Sequence, residues 1–110
     1  MNIKVTSRHF KSHESLTEYA QRSIEDLSHF YDGIIKADII FSYEKSRNSI
    51  KIAELSLSVY GTVLTGIGKS EEFEKSVDLA ITKLKTQLKK YKEKLHAKDR
   101  KGVRKIRSKE

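Results

Sequence analysis

The stretch Gly66-Ile67-Gly68-Lys69-Ser70 holds the residue types that could cradle a phosphate: glycines that bare backbone N–H groups, a lysine for charge and a hydroxyl for a metal ion. Its spacing does not fit that chemistry. The phosphate loop needs a glycine five positions before the glycine of Gly-Lys-Ser, and that position holds Val63. A strand end followed by a helix-capping serine accounts for the same residues. The histidines His9, His13, His29 and His96 are scattered along the chain; His9 and His13 stand four apart, but with no glutamate between them. Zinc needs three or four convergent ligands, so no metal site is expected. Without cysteine there is no thiolate nucleophile, no disulfide and no Cys-based zinc site. Glu14, Glu18, Glu25 and Asp26 read as the solvated face of a helix rather than as paired catalytic acids. No enzyme, no cofactor and no small-molecule substrate is expected.

Lysine is the remaining residue type with a chemistry to offer, and its placement is uneven. Residues 1–82 carry 10 basic and 12 acidic side chains, whereas residues 83–110 carry 13 basic and 3 acidic ones. The formal net charge of +8 therefore lies wholly in the last quarter of the 110-residue chain. Such asymmetry points to one end of the molecule meeting a polyanion. No apolar run approaches the roughly 20 residues of a membrane span, and the first ten residues lack a signal-peptide core. A soluble, cytoplasmic protein with no membrane partner is expected.

The elements that must position those lysines follow from hydrophobic period. Asn2 to Ser7 alternates, with Ile3 and Val5 on one face, as a half-buried strand does. Leu16, Tyr19, Ala20, Ile24, Leu27, Phe30 and Tyr31 are spaced by three and four, with Ser12 or His13 as cap and Asp32-Gly33 as stop, which predicts an amphipathic helix. Alternation returns over Ala37 to Glu44, and Lys45 to Ser49 reads as a turn. Ile50 to Tyr60 places Ala53, Leu55, Leu57 and Val59 on one face, and Gly61-Thr62 turns the chain into Val63 to Ile67. Ser70 can cap a last helix with the stripe Phe73, Val77, Ala80, Ile81, Leu84, Leu88, Tyr91 and Leu95.

The order β-α-β-β-β-α predicts an α+β fold, with two helices on one face of a four-stranded sheet, like a double-stranded-RNA-binding domain. The last helix, roughly 26 residues, would run about 39 Å and overhang strands of about 20 Å. Residues 1–97 then form one domain. Lys98 to Glu110, with little beyond Val103 and Ile106 to bury, is expected to be a disordered basic tail.

With Leu84 centred in the buried stripe and about 100° per residue, Lys85, Lys89 and Lys92 fall on one flank and Lys83, Lys90 and Lys94 on the other. A merely solvated helix would intersperse glutamates at i, i+4, and here Glu93 stands against six lysines. RNA is favoured over specific DNA because no recognition-helix motif is visible. Lysines on a rigid helix suit the reading of RNA shape through phosphates and 2′-hydroxyls.

Ser70 to Lys94, together with Asn2-Ile-Lys-Val-Thr-Ser, Leu27-Ser-His-Phe-Tyr and Gly61 to Lys69, resembles the ribosome hibernation-promoting factor family, also called ribosome-associated inhibitor A or protein Y. The likeness covers roughly residues 1–95 and corresponds to a short form. It implies a protein that binds small-subunit rRNA where mRNA and tRNA would lie, and so blocks translation by occlusion in idle, stressed or stationary-phase cells. The family's Lys-Leu-x-Arg-Gln-Leu-x-Lys falls on Lys83, Leu84, Thr86, Gln87, Leu88 and Lys90, followed by Lys92 and Lys94. Thr86 stands where the arginine would be, and Lys85 and Lys89 lie beside it. In the first helix Ser23 and Asp26 stand where the family has lysines, leaving Arg22, and Glu74 replaces a tyrosine. The expected rRNA contacts are therefore Lys83, Lys85, Lys89, Lys90, Lys92, Lys94 and Arg22. Two other readings stay open: a general double-stranded RNA-binding module, and a protein-interaction module acting on a transcription (sigma) factor, as an older label of the family suggests.

Overall fold

In the segments 37–41 and 53–59 one face alternates with the other, and the apolar phase is the one removed from water. Ala53, Leu55, Leu57 and Val59 are buried, as are Ala37, Ile39 and Phe41, while Glu54, Ser56 and Ser58 between them remain partly exposed. The computed structural model describes residues 2–8, 13–44 and 47–109, with side-chain detail for 2–8, 13–44 and 50–94.

The elements are β1 (Asn2–Ser7), α1 (Glu14–Phe30), β2 (Lys36–Glu44), β3 (Arg47–Val59), β4 (Thr62–Ser70) and α2 (Phe73–Lys109). They form one four-stranded sheet in the order β1-β2-β3-β4. β1 runs parallel to β2, with Val5 opposite Ile39. A parallel pair needs a crossover, which α1 supplies. The other two pairings are antiparallel, placing Ile39 opposite Leu55 and Leu55 opposite Gly66. Both helices bury their stripes in the same cluster: Leu16, Ala20, Ile24 and Leu27 from α1, and Phe73, Val77, Ala80, Leu84 and Leu88 from α2. The fold is thus the α+β arrangement expected, with both helices on one face. A fully buried leucine such as Leu84 or Leu88 contributes about 2 kcal/mol.

Several boundaries differ from the sequence reading. α1 starts after His13, whose carbonyl accepts the N–H groups of Leu16 and Thr17 at 3.0 and 3.1 Å, but whose side chain makes no cap bond. Ser12, the other candidate cap, lies outside the described residues. The helix stops at Phe30, before Asp32-Gly33, because Tyr31 is extended at φ −149° and ψ 115°. β3 begins at Arg47 rather than Ile50, with a register irregularity at Tyr43/Glu44, so the expected turn is shorter; Lys45 and Ser46 lie outside the described residues. α2 begins at Phe73, and Ser70 ends β4 instead of capping the helix directly. Its Oγ accepts the Glu72 N–H at 3.2 Å and lies 2.9 Å from the buried Ser76 hydroxyl.

At 37 residues α2 is longer than the roughly 26 expected. Its backbone is helical over 98–109, where like charge predicts a disordered tail. Lysine and arginine are good helix formers, and extending an existing helix avoids the cost of nucleating one. α2 sets the longest dimension of the molecule, 62 Å.

Gly66 and Gly68 explain how α2 lies so low on the sheet. A Cβ at Gly66 would stand 2.5 Å from the Ala80 carbonyl oxygen, and one at Gly68 would overlap the Ser76 carbonyl oxygen. These two glycines therefore serve helix–sheet approach, not a phosphate. Their buried phase turns Val63 and Ile67 outward, where they are 57% and 40% exposed. Gly68→Ala is expected to lower unfolding free energy by about 3 kcal/mol, read as a shift of the urea midpoint. An unchanged midpoint would contradict the close approach.

Candidate nucleic-acid interface

Because Leu84 and Leu88 point into the core, the lysines around them must leave α2 sideways or outward. The two flanks meet different neighbours. On one flank Lys83 Nζ donates to the Ile67 carbonyl oxygen at 2.6 Å, and one turn later Gln87 Nε2 donates to the Thr65 carbonyl oxygen at 2.6 Å. Both acceptors lie on β4, an edge strand, where alternate carbonyls would otherwise be open to strand addition.

On the other flank Lys92 Nζ donates to the Phe30 carbonyl oxygen at 3.2 Å and lies 4.6 Å from the centroid of the Phe30 ring. This cation sits at the C-terminal end of α1, where the helix dipole favours positive charge. Lys85 lies on the same flank and faces Arg22 of α1 across a cleft of about 340 Å³. That cleft also holds Asp26 and Asp78, so its charge is mixed. Lys89, Lys90 and Lys94 are exposed and make no hydrogen bond or ion pair among the described residues, where the ion pair present is Lys75–Glu72 at 3.8 Å.

Of the seven residues singled out, the structure therefore pairs Arg22 with Lys85 at one cleft, engages Lys83 and Lys92 with backbone carbonyls, and leaves Lys89, Lys90 and Lys94 free among the described residues. Charge counting does not distinguish these three groups. The difference depends on which carbonyl each flank meets. In the sequence Gln87 is part of a motif, and its hydrogen bond to β4 has no signature there.

The cleft also holds Tyr19, whose hydroxyl donates to Asp78 Oδ1 at 2.5 Å. That hydrogen bond to a carboxylate, followed by partial burial and the charge of Asp78, pushes the Tyr19 phenol up to about 12. Among the described residues no group of three or more histidines and carboxylates is arranged to hold a metal ion, and no helix is long and apolar enough to cross a membrane.

A family model described as Sigma 54 modulation protein / S30EA ribosomal protein matches residues 3–96. Comparison with curated proteins yields no match. Among solved structures, the chain is similar to a ribosomal subunit interface protein from Coxiella burnetii. The two are 29% identical over 84% of this chain and 98% of that one, with a TM-score of 0.76. The fold is also that of the Protein Y N-terminal domain from Thermus thermophilus, at 22% identity over 83% of this chain and 99% of that one, with a TM-score of 0.72.

The Tyr19–Asp78 bond has a pH consequence. With the folded phenol raised to about 12 from an ordinary 10.0, its stabilising contribution is complete below pH 10 and is lost as pH rises through 12. In Asp78→Asn, phenolate absorbance should appear at lower pH, closer to the ordinary tyrosine value. An unchanged titration would contradict the bond's role.

Proposed function

The chain belongs to the Sigma 54 modulation protein / S30EA ribosomal protein family, and from that premise we propose that it is a ribosome-bound translation inhibitor that occupies the mRNA and tRNA channel of the small subunit. The observation that carries this reading is the set of exposed lysines on α2 that no carboxylate compensates among the described residues: Lys89, Lys90 and Lys94. Self-repulsion on one helix face is relieved when phosphates neutralise it. The similarity to a ribosomal subunit interface protein makes rRNA the natural source of those phosphates.

In this mechanism the protein performs no bond chemistry. Lys89, Lys90 and Lys94 contact rRNA phosphates, with Lys85 and Arg22 reaching the backbone from the mouth of the α1–α2 cleft. Lys83 and Lys92 join only by leaving the Ile67 and Phe30 carbonyls, so their share is smaller. The body, residues 1–97, fills the space that mRNA and tRNA need. Residues 98–110 continue the basic surface along RNA. A protein working in this way acts in the cytoplasm, silencing idle ribosomes under stress or in stationary phase.

Binding to small subunits should weaken steeply with salt. If about five phosphates are neutralised, the loss is on the order of 10²- to 10³-fold between about 50 and 200 mM. A Lys89→Glu, Lys90→Glu double variant should keep its urea midpoint and lose subunit binding in co-sedimentation, whereas Lys83→Met should bind nearly as the parent does. Unchanged affinity in the double variant would remove α2 from the interface. Equal affinity for any RNA duplex would reduce the protein to a general double-stranded RNA binder. Tight, salt-insensitive capture of a transcription factor with no ribosome present would favour the protein-interaction reading.

A further inference from the structure

A two-residue β-hairpin usually carries glycine, asparagine or aspartate, and between Val59 and Thr62 this chain has Tyr60-Gly61. Gly61 takes the left-handed position at φ 83°, so that part of the turn's backbone needs no tyrosine. The Tyr60 ring is 81% exposed and so covers little of the core. Its carbonyl oxygen accepts the Tyr91 hydroxyl at 2.5 Å. Tyr91 in turn meets Tyr31 edge-on, with 5.7 Å between ring centroids.

The bonds along the β4 edge locate the charges around this ring. Lys83 meets Ile67 and Gln87 meets Thr65, so one turn of α2 matches two residues of β4, and Tyr91 meets the turn itself at Tyr60. Lys90 and Lys94 leave α2 on the flank of Lys83 and Gln87, level with the turn, and both are exposed. The exposed Tyr60 and the exposed Lys90 and Lys94 thus lie at the same end of the molecule, where the sheet stops and α2 continues.

Resting on the RNA-binding reading above, we propose that Tyr60 is a stacking platform for an unpaired base of single-stranded RNA, whose flanking phosphates are held by Lys90 and Lys94. Every base offers a π face, so stacking tolerates any sequence, while the neighbouring lysines track the backbone. A duplex keeps its bases stacked inside and cannot use the ring in this way. A desolvated protein–protein interface fits less well, because it would bury Tyr60 beside two unpaired ammonium groups.

The test uses the full chain and an unstructured oligouridine of about twelve nucleotides with one 2-aminopurine, beside an RNA duplex of matched length. The parent should bind the oligomer and quench the fluorophore. Tyr60→Ala should lose about tenfold or more in oligomer affinity together with the quench, Tyr60→Phe should keep both, and duplex affinity should not change. Similar urea midpoints establish that the variants are folded. Oligomer binding and quenching by Tyr60→Ala equal to the parent's would overturn the platform, as would a parallel loss on oligomer and duplex. So would an effect of Tyr60→Ala confined to self-association in sedimentation, which would assign the ring to a second copy. Subunit co-sedimentation of the Lys89→Glu, Lys90→Glu variant is read separately, so failure of the platform and failure of channel occlusion are distinguishable.

Discussion

The backbone of α2 rests on β4 with no side chain between them at two places, where Gly66 lies under the Ala80 carbonyl and Gly68 under the Ser76 carbonyl. Much else in the molecule depends on that approach. It brings Val77, Ala80, Leu84 and Leu88 down to the face formed by Ala53, Leu55, Leu57 and Val59, closing the core. It lets the Ser76 hydroxyl, fully buried, donate to the Lys51 carbonyl oxygen of β3 at 2.7 Å. It also fixes the height at which Lys83 and Gln87 reach the carbonyls of the β4 edge. A helix held one side-chain layer higher would fill the core with different residues and leave that edge open.

The same seating sorts the lysines. A helix that must bury a stripe and yet carry many cations can place them only on its flanks and back. Here one flank closes a sheet edge, the other closes the end of α1, and the surplus remains in solvent. Lys83 and Lys92 therefore have structural tasks alongside any part in binding. Asp26 and Asp78 temper the charge of the α1–α2 cleft, and Asp78 holds Tyr19 there, so the exposed lysines without an ion pair among the described residues lie on the outer half of α2.

Much of this was legible in the residues. The alternation of β3 predicted Ala53, Leu55, Leu57 and Val59 as one buried face, and the three-and-four spacing of α1 and α2 predicted their buried stripes, because burial on one face imposes those periods directly. The lysine-rich last helix was likewise visible as composition. Three things were not. In β4 the buried phase is Gly66 and Gly68, so the apolar alternation of Val63 and Ile67 marks the outer face; a glycine in a pattern does not announce a helix pressed against it. The hydrogen bonds of Lys83, Gln87 and Lys92 join residues 16 to 62 positions apart and depend on packing that no local pattern encodes. The continuation of α2 past Ala97 rests on helix propensity without an apolar stripe, where charge repulsion argued the other way.

In the proposed function a folded body positions free lysines to occupy a channel in the small ribosomal subunit. The most direct test is co-sedimentation of the purified protein with vacant small subunits, with mRNA and tRNA added as competitors. Channel occlusion requires saturable binding near one protein per subunit that those ligands displace. Diffuse, non-saturating binding that any RNA competes away would contradict it, as would no binding at all.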